Sequence, residues 1–239
     1  MEKPLAAHSR SGPAGLSIVR IEAFADGVFA IVITLLILDI HVPQVQGEPV
    51  GPQLVRELVA MWPKYLAYAM SFIIVGVYWV GHHAQFRFIR HANRTLLWIN
   101  ILFFMCVAFV PFSAALIGEY RHEQIAVIIY GVNLIVVGAC LYLHYWYATH
   151  KHRLVDADLG EHQIATTKRR ILIAPIMCLV AIGLSFVSTS LSIILYVLLP
   201  IPYILPGRID IHWARTHHSP AQTHPSGSDE HTTPHDGGT

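Results

Sequence analysis

From Arg20 to Ile40 the chain reads RIEAFADGVFAIVITLLILDI, and after Asp26 no charge interrupts it until Asp39. At about 1.5 Å of rise per residue, a run of about 20 residues crosses a hydrocarbon core of about 30 Å, so this pattern predicts a transmembrane helix. Five more apolar runs follow, at Trp62–His83, Leu96–Ile117, Ile125–Tyr147, Ile171–Ser188 and Leu191–Leu205, the last interrupted by Pro200 and Pro202. Between the first two lies HVPQVQGEPVGPQ, whose Pro and Gly predict a loop. Leu54–Ala60 then predicts a short amphipathic approach to Trp62, an aromatic of the kind found at membrane interfaces. Pro111 should kink the third span. The aromatics Tyr142, Tyr145, Trp146 and Tyr147 at the end of the fourth read as an interfacial belt. Thr149–Arg170 reads as a polar loop. The prediction is an all-α membrane protein with six transmembrane helices per subunit, flanked by a polar segment at 1–17 and a disordered tail at 209–239 rich in His, Ser, Pro, Gly and Thr.

Composition agrees with the pattern. The chain of 239 residues is 54% hydrophobic and only 13% charged, with mean hydropathy +0.50, too apolar for an ordinary soluble domain. A net charge of +1 without a basic, aromatic-laced patch argues against a nucleic-acid partner. Cys106, Cys140 and Cys178 all fall inside expected spans, which argues against a disulfide framework or a thiolate zinc site. Neither HExxH nor GxSxG occurs, so the sixteen histidines do not build a recognised hydrolase motif. The expectation is no enzyme, no catalytic residue, no resident metal and no cofactor.

Charge then sets orientation. With the amino terminus inside and six crossings, thirteen of the sixteen Lys and Arg residues fall on the inner side, and only Arg56, Lys64 and Arg121 on the outer. Both termini are therefore expected in the cytoplasm of a multi-pass protein of the cell membrane.

The first span has two unlike faces. At about 100° per residue, Gly27/Val28, Ile31, Thr34/Leu35 and Leu38 fall on one stripe, and Glu22, Asp26, Phe29, Ile33 and Ile37 on another about 140° away. The uncharged stripe can meet a symmetry axis or simply pack. The acidic stripe must find donors on neighbouring helices, because an ionisable group at membrane depth costs about 2.5–3.5 kcal/mol even on the lenient insertion scale.

Arg20, Phe24 and Asp26, running into GVFAIVITLLILDI, resemble the signature of the endosomal and lysosomal potassium channel family (transmembrane protein 175) and its bacterial homologues, Arg, three residues, then Phe-Ser-Asp. Ala25 replaces the serine, so no role of that hydroxyl carries over. YWVGHHAQF at Tyr78–Phe86, Asn100 and the FVPF stretch around Pro111 are similar to the family as well. The resemblance implies a potassium-permeable channel, a homotetramer in the lipid bilayer around a pore lined by first helices, and 18–208 as the six-span channel domain. It also implies Ile31 as the narrowest hydrophobic ring, Leu35 and Leu38 as further rings toward the outside, and Thr34 as a polar contact for permeant potassium ions. VGVY at Val75–Tyr78 has the letters of a carbonyl filter, but a filter needs a re-entrant loop and this stretch sits in a continuous apolar run, so no filter loop is expected.

The orientation puts Arg20, Glu22 and Asp26, the pair His82 and His83, and Asn93 and Asn100 at one inner depth. Asp26 lies about 240° round the helix from Arg20, so it is expected to face His82 or His83 and Asn100. Together with Phe24 these residues should form a buttress that fixes the lean of the first helix. The histidines, adjacent and about 100° apart, read as hydrogen-bonding groups rather than one metal site. An alternative reading is a proton-coupled secondary transporter relaying through Asp26 and His82/His83; no convincing inverted repeat supports it.

Overall fold

The computed structural model describes residues 18–46 and 49–204, and every named element in them is a helix. The 1–17 segment, the 209–239 tail, and Lys3, Arg10, Arg208 and Arg215 of the charge count lie outside the described residues.

Helix α1 (Ile18–Leu35) continues as a 3-10 turn, Leu36–Asp39, and the chain then runs to α2 (Val50–Ala60) and, one residue later, α3 (Trp62–Phe86). Asn93 starts α4 (Arg94–Ala108) by accepting the Leu96 N–H at 2.9 Å, one of the donors a helix start leaves without a partner. The expected kink at Pro111 is a break at Phe109: α5 (Val110–Glu119) begins there with the proline in its first turn, where a missing N–H costs nothing. After α6 (Gln124–Thr149) and a short turn at His150–His152 come α7 (Glu161–Ser185), α8 (Thr189–Leu198) and α9 (Ile201–Ile204).

Among the described residues four helical stretches are long and apolar enough to cross a membrane: Ile18–Asp39, Trp62–Phe86, Arg94–Glu119 and Gln124–His152. The fifth and sixth expected spans are the apolar second half of α7 and the shorter pair α8–α9. Helix α7 starts at Glu161, inside what the sequence reads as a polar loop, because EHQIATTKRR lacks Gly and Pro and can propagate helix without being apolar. The filter-like letters Val75–Tyr78 lie within α3.

Lipid tails offer no hydrophobic drive between helices, so close packing and buried hydrogen bonds hold the bundle, each bond contributing about 0.6–2 kcal/mol. Gly138 lets α6 meet α7: a Cβ there would lie 2.6 Å from Pro175 Cγ. Tyr78 Oη donates to the Leu134 carbonyl at 2.8 Å, Asn133 Nδ2 to Ser113 Oγ at 2.9 Å, and Tyr196 Oη to the Val127 carbonyl at 3.1 Å, tying α3, α5 and α8 to α6. Tyr145 is fully buried among these helices and does not belong to the interfacial belt expected of it. Beside the first turns of α1, Ile21, Phe86, Ile89, Leu96, Leu154 and Val155 form a second apolar cluster. Arg90 pairs over it with Asp156 at 2.7 Å, an exposed pair worth at most about 1 kcal/mol.

Candidate functional site on the first helix

Helix α1 packs through Ile21, Ala25, Phe29 and Val32, with Leu36 in the following turn, all buried at the three-and-four spacing of one face. Opposite them stands a face that its own chain does not cover: Ile31 is 60% exposed, Leu35 42% and Leu38 64%, with Gly27 and Thr34 also exposed. This is the uncharged stripe of the sequence pattern. Ile33 is half-buried. Thr34 Oγ1 donates to the Ile31 carbonyl at 2.8 Å, so its one proton is committed inside the helix while its oxygen lone pairs remain able to accept.

The amino-terminal half of α1 meets α3 in a short ladder. Asp26 Oδ1 accepts from Trp79 Nε1 at 2.8 Å, and one turn nearer the amino terminus Glu22 Oε1 lies 3.6 Å from His83 Nδ1. Trp79 and His83, four residues apart on α3, stack with ring centroids 6.1 Å apart. The expected pairing of Asp26 with His82, His83 or Asn100 is therefore corrected. His82 turns away from α1's carboxylates: its Nε2 donates to Asn100 Oδ1 at 2.8 Å, while Asn100 Nδ2 donates to the Leu96 carbonyl at 3.1 Å. The His82 ring lies flat on Phe103, at 5.3 Å between centroids, and tilts against Phe29 at 6.2 Å. Phe24, 59% exposed, meets Phe104 edge-on at 5.6 Å. Arg20 is exposed and makes no ion pair among the described residues. It lies eleven residues before Ile31, within about 20° of it round the helix, so it belongs to the uncharged stripe's side rather than to the ladder. The six residues expected to form one network thus divide into a carboxylate ladder holding Asp26 and His83, an aromatic cradle holding His82, Asn100 and Phe24, and a separate Arg20.

Three participants escape a sequence reading. Trp79 supplies the donor for Asp26, and its signal is the Trp79/His83 spacing of one helical turn. Gln85 and His144 join α3 to α6: His144 Nδ1 donates to Gln85 Oε1 at 2.6 Å, and Gln85 Nε2 to the Leu141 carbonyl at 3.2 Å. Their signal is a polar residue within an apolar run, hidden in both cases by neighbouring aromatics.

The arrangement suits holding rather than relaying. An indole N–H donates and does not accept, so the contact that Asp26 makes cannot pass a proton on to a histidine. No group of three or more His, Cys, Asp and Glu positioned to hold a metal ion occurs among the described residues.

With this geometry in place, comparison with known proteins is specific. The family model for the endosomal/lysosomal potassium channel TMEM175 matches residues 20–111, which contain all of α1 but Ile18 and Val19, together with the ladder and the aromatic cradle. A potassium channel of Streptomyces collinus is 37% identical over 188 residues, 77% of this chain and 90% of its own length. A potassium channel of Chamaesiphon minutus is 40% identical over 179 residues, 73% of this chain and 87% of its own. The crystal structure of a lysosomal potassium-selective channel TMEM175 homologue from Chamaesiphon minutus superposes with TM-score 0.68 at 34% identity, covering 78% of this chain and 95% of that one.

Proposed function

The chain belongs to the TMEM175 family of ion channels, and from that premise we propose that it is a potassium-permeable cation channel of the plasma membrane, built as a homotetramer with the first helix of each copy lining a central pore. The observation that carries the proposal is the face of α1 bearing Ile31, Thr34, Leu35 and Leu38, which its own chain leaves uncovered. One chain offers one copy of this stripe, so a closed ring must come from cyclic symmetry.

In that ring four Ile31 side chains form the narrowest apolar constriction, with Leu35 and Leu38 as further rings toward the outside. Apolar rings raise the barrier by excluding water, and they gate by wetting and drying without a carbonyl filter. The four Thr34 oxygens stand between the apolar rings and can accept a partly dehydrated potassium ion. The two ladder contacts and the His82 cradle hold α1 against α3 and α4 from behind, so the stripe keeps its heading toward the axis. Six apolar stretches supply six crossings per subunit, and with six crossings the distribution of Lys and Arg puts both termini in the cytoplasm.

Purified protein in liposomes with an outward potassium gradient should pass potassium when the opposing charge is shunted by a protonophore, and native mass spectrometry should find a tetramer. Tight liposomes with correctly inserted protein, or a stable monomer or dimer in several detergents, would refute the reading.

A further inference from the structure

Helix α2 (Val50–Ala60) runs for eleven residues without burying a side chain, which among the α-helices of the described residues is otherwise true of the four-residue α9 alone. It is also strongly two-faced. At about 100° per residue, Val50, Leu54, Val55, Leu58 and Val59 occupy one half of its circumference, with Pro52, Gln53, Arg56 and Ala60 on the other. The apolar half is uncovered, with Val55 62% and Val59 66% exposed. Its eleven residues reach only about 16 Å, half of a hydrocarbon core, so it cannot cross a membrane.

Three observations say what covers this face. First, only Met61 separates α2 from Trp62, the first residue of the membrane-crossing helix α3, so α2 is fixed by its covalent link to the membrane boundary. Second, Trp62 is 53% exposed and the Arg121 guanidinium sits 4.6 Å from its ring centroid, the paired aromatic and cation of a headgroup zone. Third, the polar half of α2 already has company. Residues Gln44 and Gln46, leading out of the 3-10 turn that ends α1, face Gln53, Arg56 and Glu57 across a polar cleft of about 430 Å³. The apolar half therefore points away from the segment that leaves α1.

We propose that α2 is an interfacial anchor lying in the plane of the bilayer, its apolar face occupied by lipid at the boundary between headgroups and acyl chains. Its polar face then overlooks the outer end of α1. That this boundary is the outer one rests on the orientation proposed above; the lipid contact itself does not depend on ion conduction. A chain that passes from α1 through an anchored α2 to α3 ties the outer end of the first helix to the membrane surface, at the depth where a buried apolar face of this kind settles.

The test places single cysteines at Val55 and Val59, and separately at Gln53 and Arg56, and labels them with an environment-sensitive fluorophore. Wild type serves as the blank for its three intramembrane thiols. In vesicles of phosphatidylethanolamine and phosphatidylglycerol, labels at 55 and 59 should be quenched several-fold more by a lipid spin-labelled near the top of its acyl chain than by aqueous iodide. Labels at 53 and 56 should show the reverse. Labels at 55 and 59 shielded from both quenchers would place the face against another subunit, and labels quenched chiefly by iodide would place it in water; either result overturns the proposal. Two positions on each face keep the comparison intact if one variant fails to assemble. Because quenching needs no flux, a failed anchor and a failed channel reading remain separate results.

Discussion

Helices α1 and α6 are equally apolar, each with a best stretch of mean hydropathy 2.3, yet 28% of that stretch is buried in α1 and 56% in α6. Equal hydrophobicity therefore serves two ends. In α6 it is used within the chain, where Tyr130, Leu134, Val137 and Tyr145 are each fully enclosed. In α1 only one face is used, and the remainder is left for whatever surrounds the subunit. Hydropathy says that a helix belongs in the membrane; the pattern of what its own chain leaves bare says which face meets something else.

The largest expected difference between the two helices comes from adding bulk. Gly138→Leu should drive a side chain into Pro175, since even a Cβ there would come within 2.6 Å of it, and overpacking of this kind costs about 1–3 kcal/mol or more. A Cβ at Gly27 would meet nothing within 4 Å in its own chain, so Gly27→Leu should gain about 1 kcal/mol of helix propensity. Thermal unfolding in detergent should separate the two, with Gly138→Leu melting well below wild type and Gly27→Leu not. In liposomes the second variant should nonetheless pass less potassium, because its added side chain points to the uncovered face. Equal loss of stability in both would end the distinction between a used and an unused face.

A smaller effect is expected at the seam that joins the first helix to the bundle. Trp79→Phe removes the donor to Asp26, an exposed carboxylate, and should cost about 0.5–1.5 kcal/mol, the net worth of one hydrogen bond. Asp26→Asn keeps an acceptor there and should cost less. The check is the thermal midpoint and tetramer content of each variant; an Asp26→Asn protein less stable than Trp79→Phe would show that the charge, not the hydrogen bond, holds the seam.

Much of this was legible in the residues. The two faces of α1 follow from the spacing of Gly27, Ile31, Thr34, Leu35 and Leu38, and the structure leaves that stripe bare. Pro111 within an apolar run signals a disturbance of the third span, expected as a kink and found as the break before α5. The partners were harder to read. Trp79 is grouped with the hydrophobic residues although it carries a hydrogen-bond donor, whereas His82, His83 and Asn100 are openly polar, so the sequence pattern points Asp26 toward them instead. Gln85 and His144 meet across 59 positions of sequence, a separation that local periodicity does not encode. Tyr145 and Trp146 are adjacent aromatics of equal standing in the sequence, and only the packing of α6 puts one in the core and the other at the surface. The polar first half of α7 is helical because nothing in it breaks a helix, which a reading tuned to apolar runs passes over.

The smallest change in stability and the most direct test of function fall together at Ile31. Ile31→Ala trims a side chain that its own chain does not enclose, so the protein should assemble as wild type. In reconstituted liposomes at matched tetramer content it should pass ions faster and distinguish potassium from sodium less well, because a wider ring excludes water less. Ile31→Asn should lower the barrier further by offering oxygens. Ile33→Ala, about 200° round the helix, should lose some packing, less than the about 2–5 kcal/mol of a fully enclosed isoleucine, and keep its ion preference. If Ile33→Ala altered selectivity while Ile31→Ala left it unchanged, the uncovered face of α1 would not be the pore.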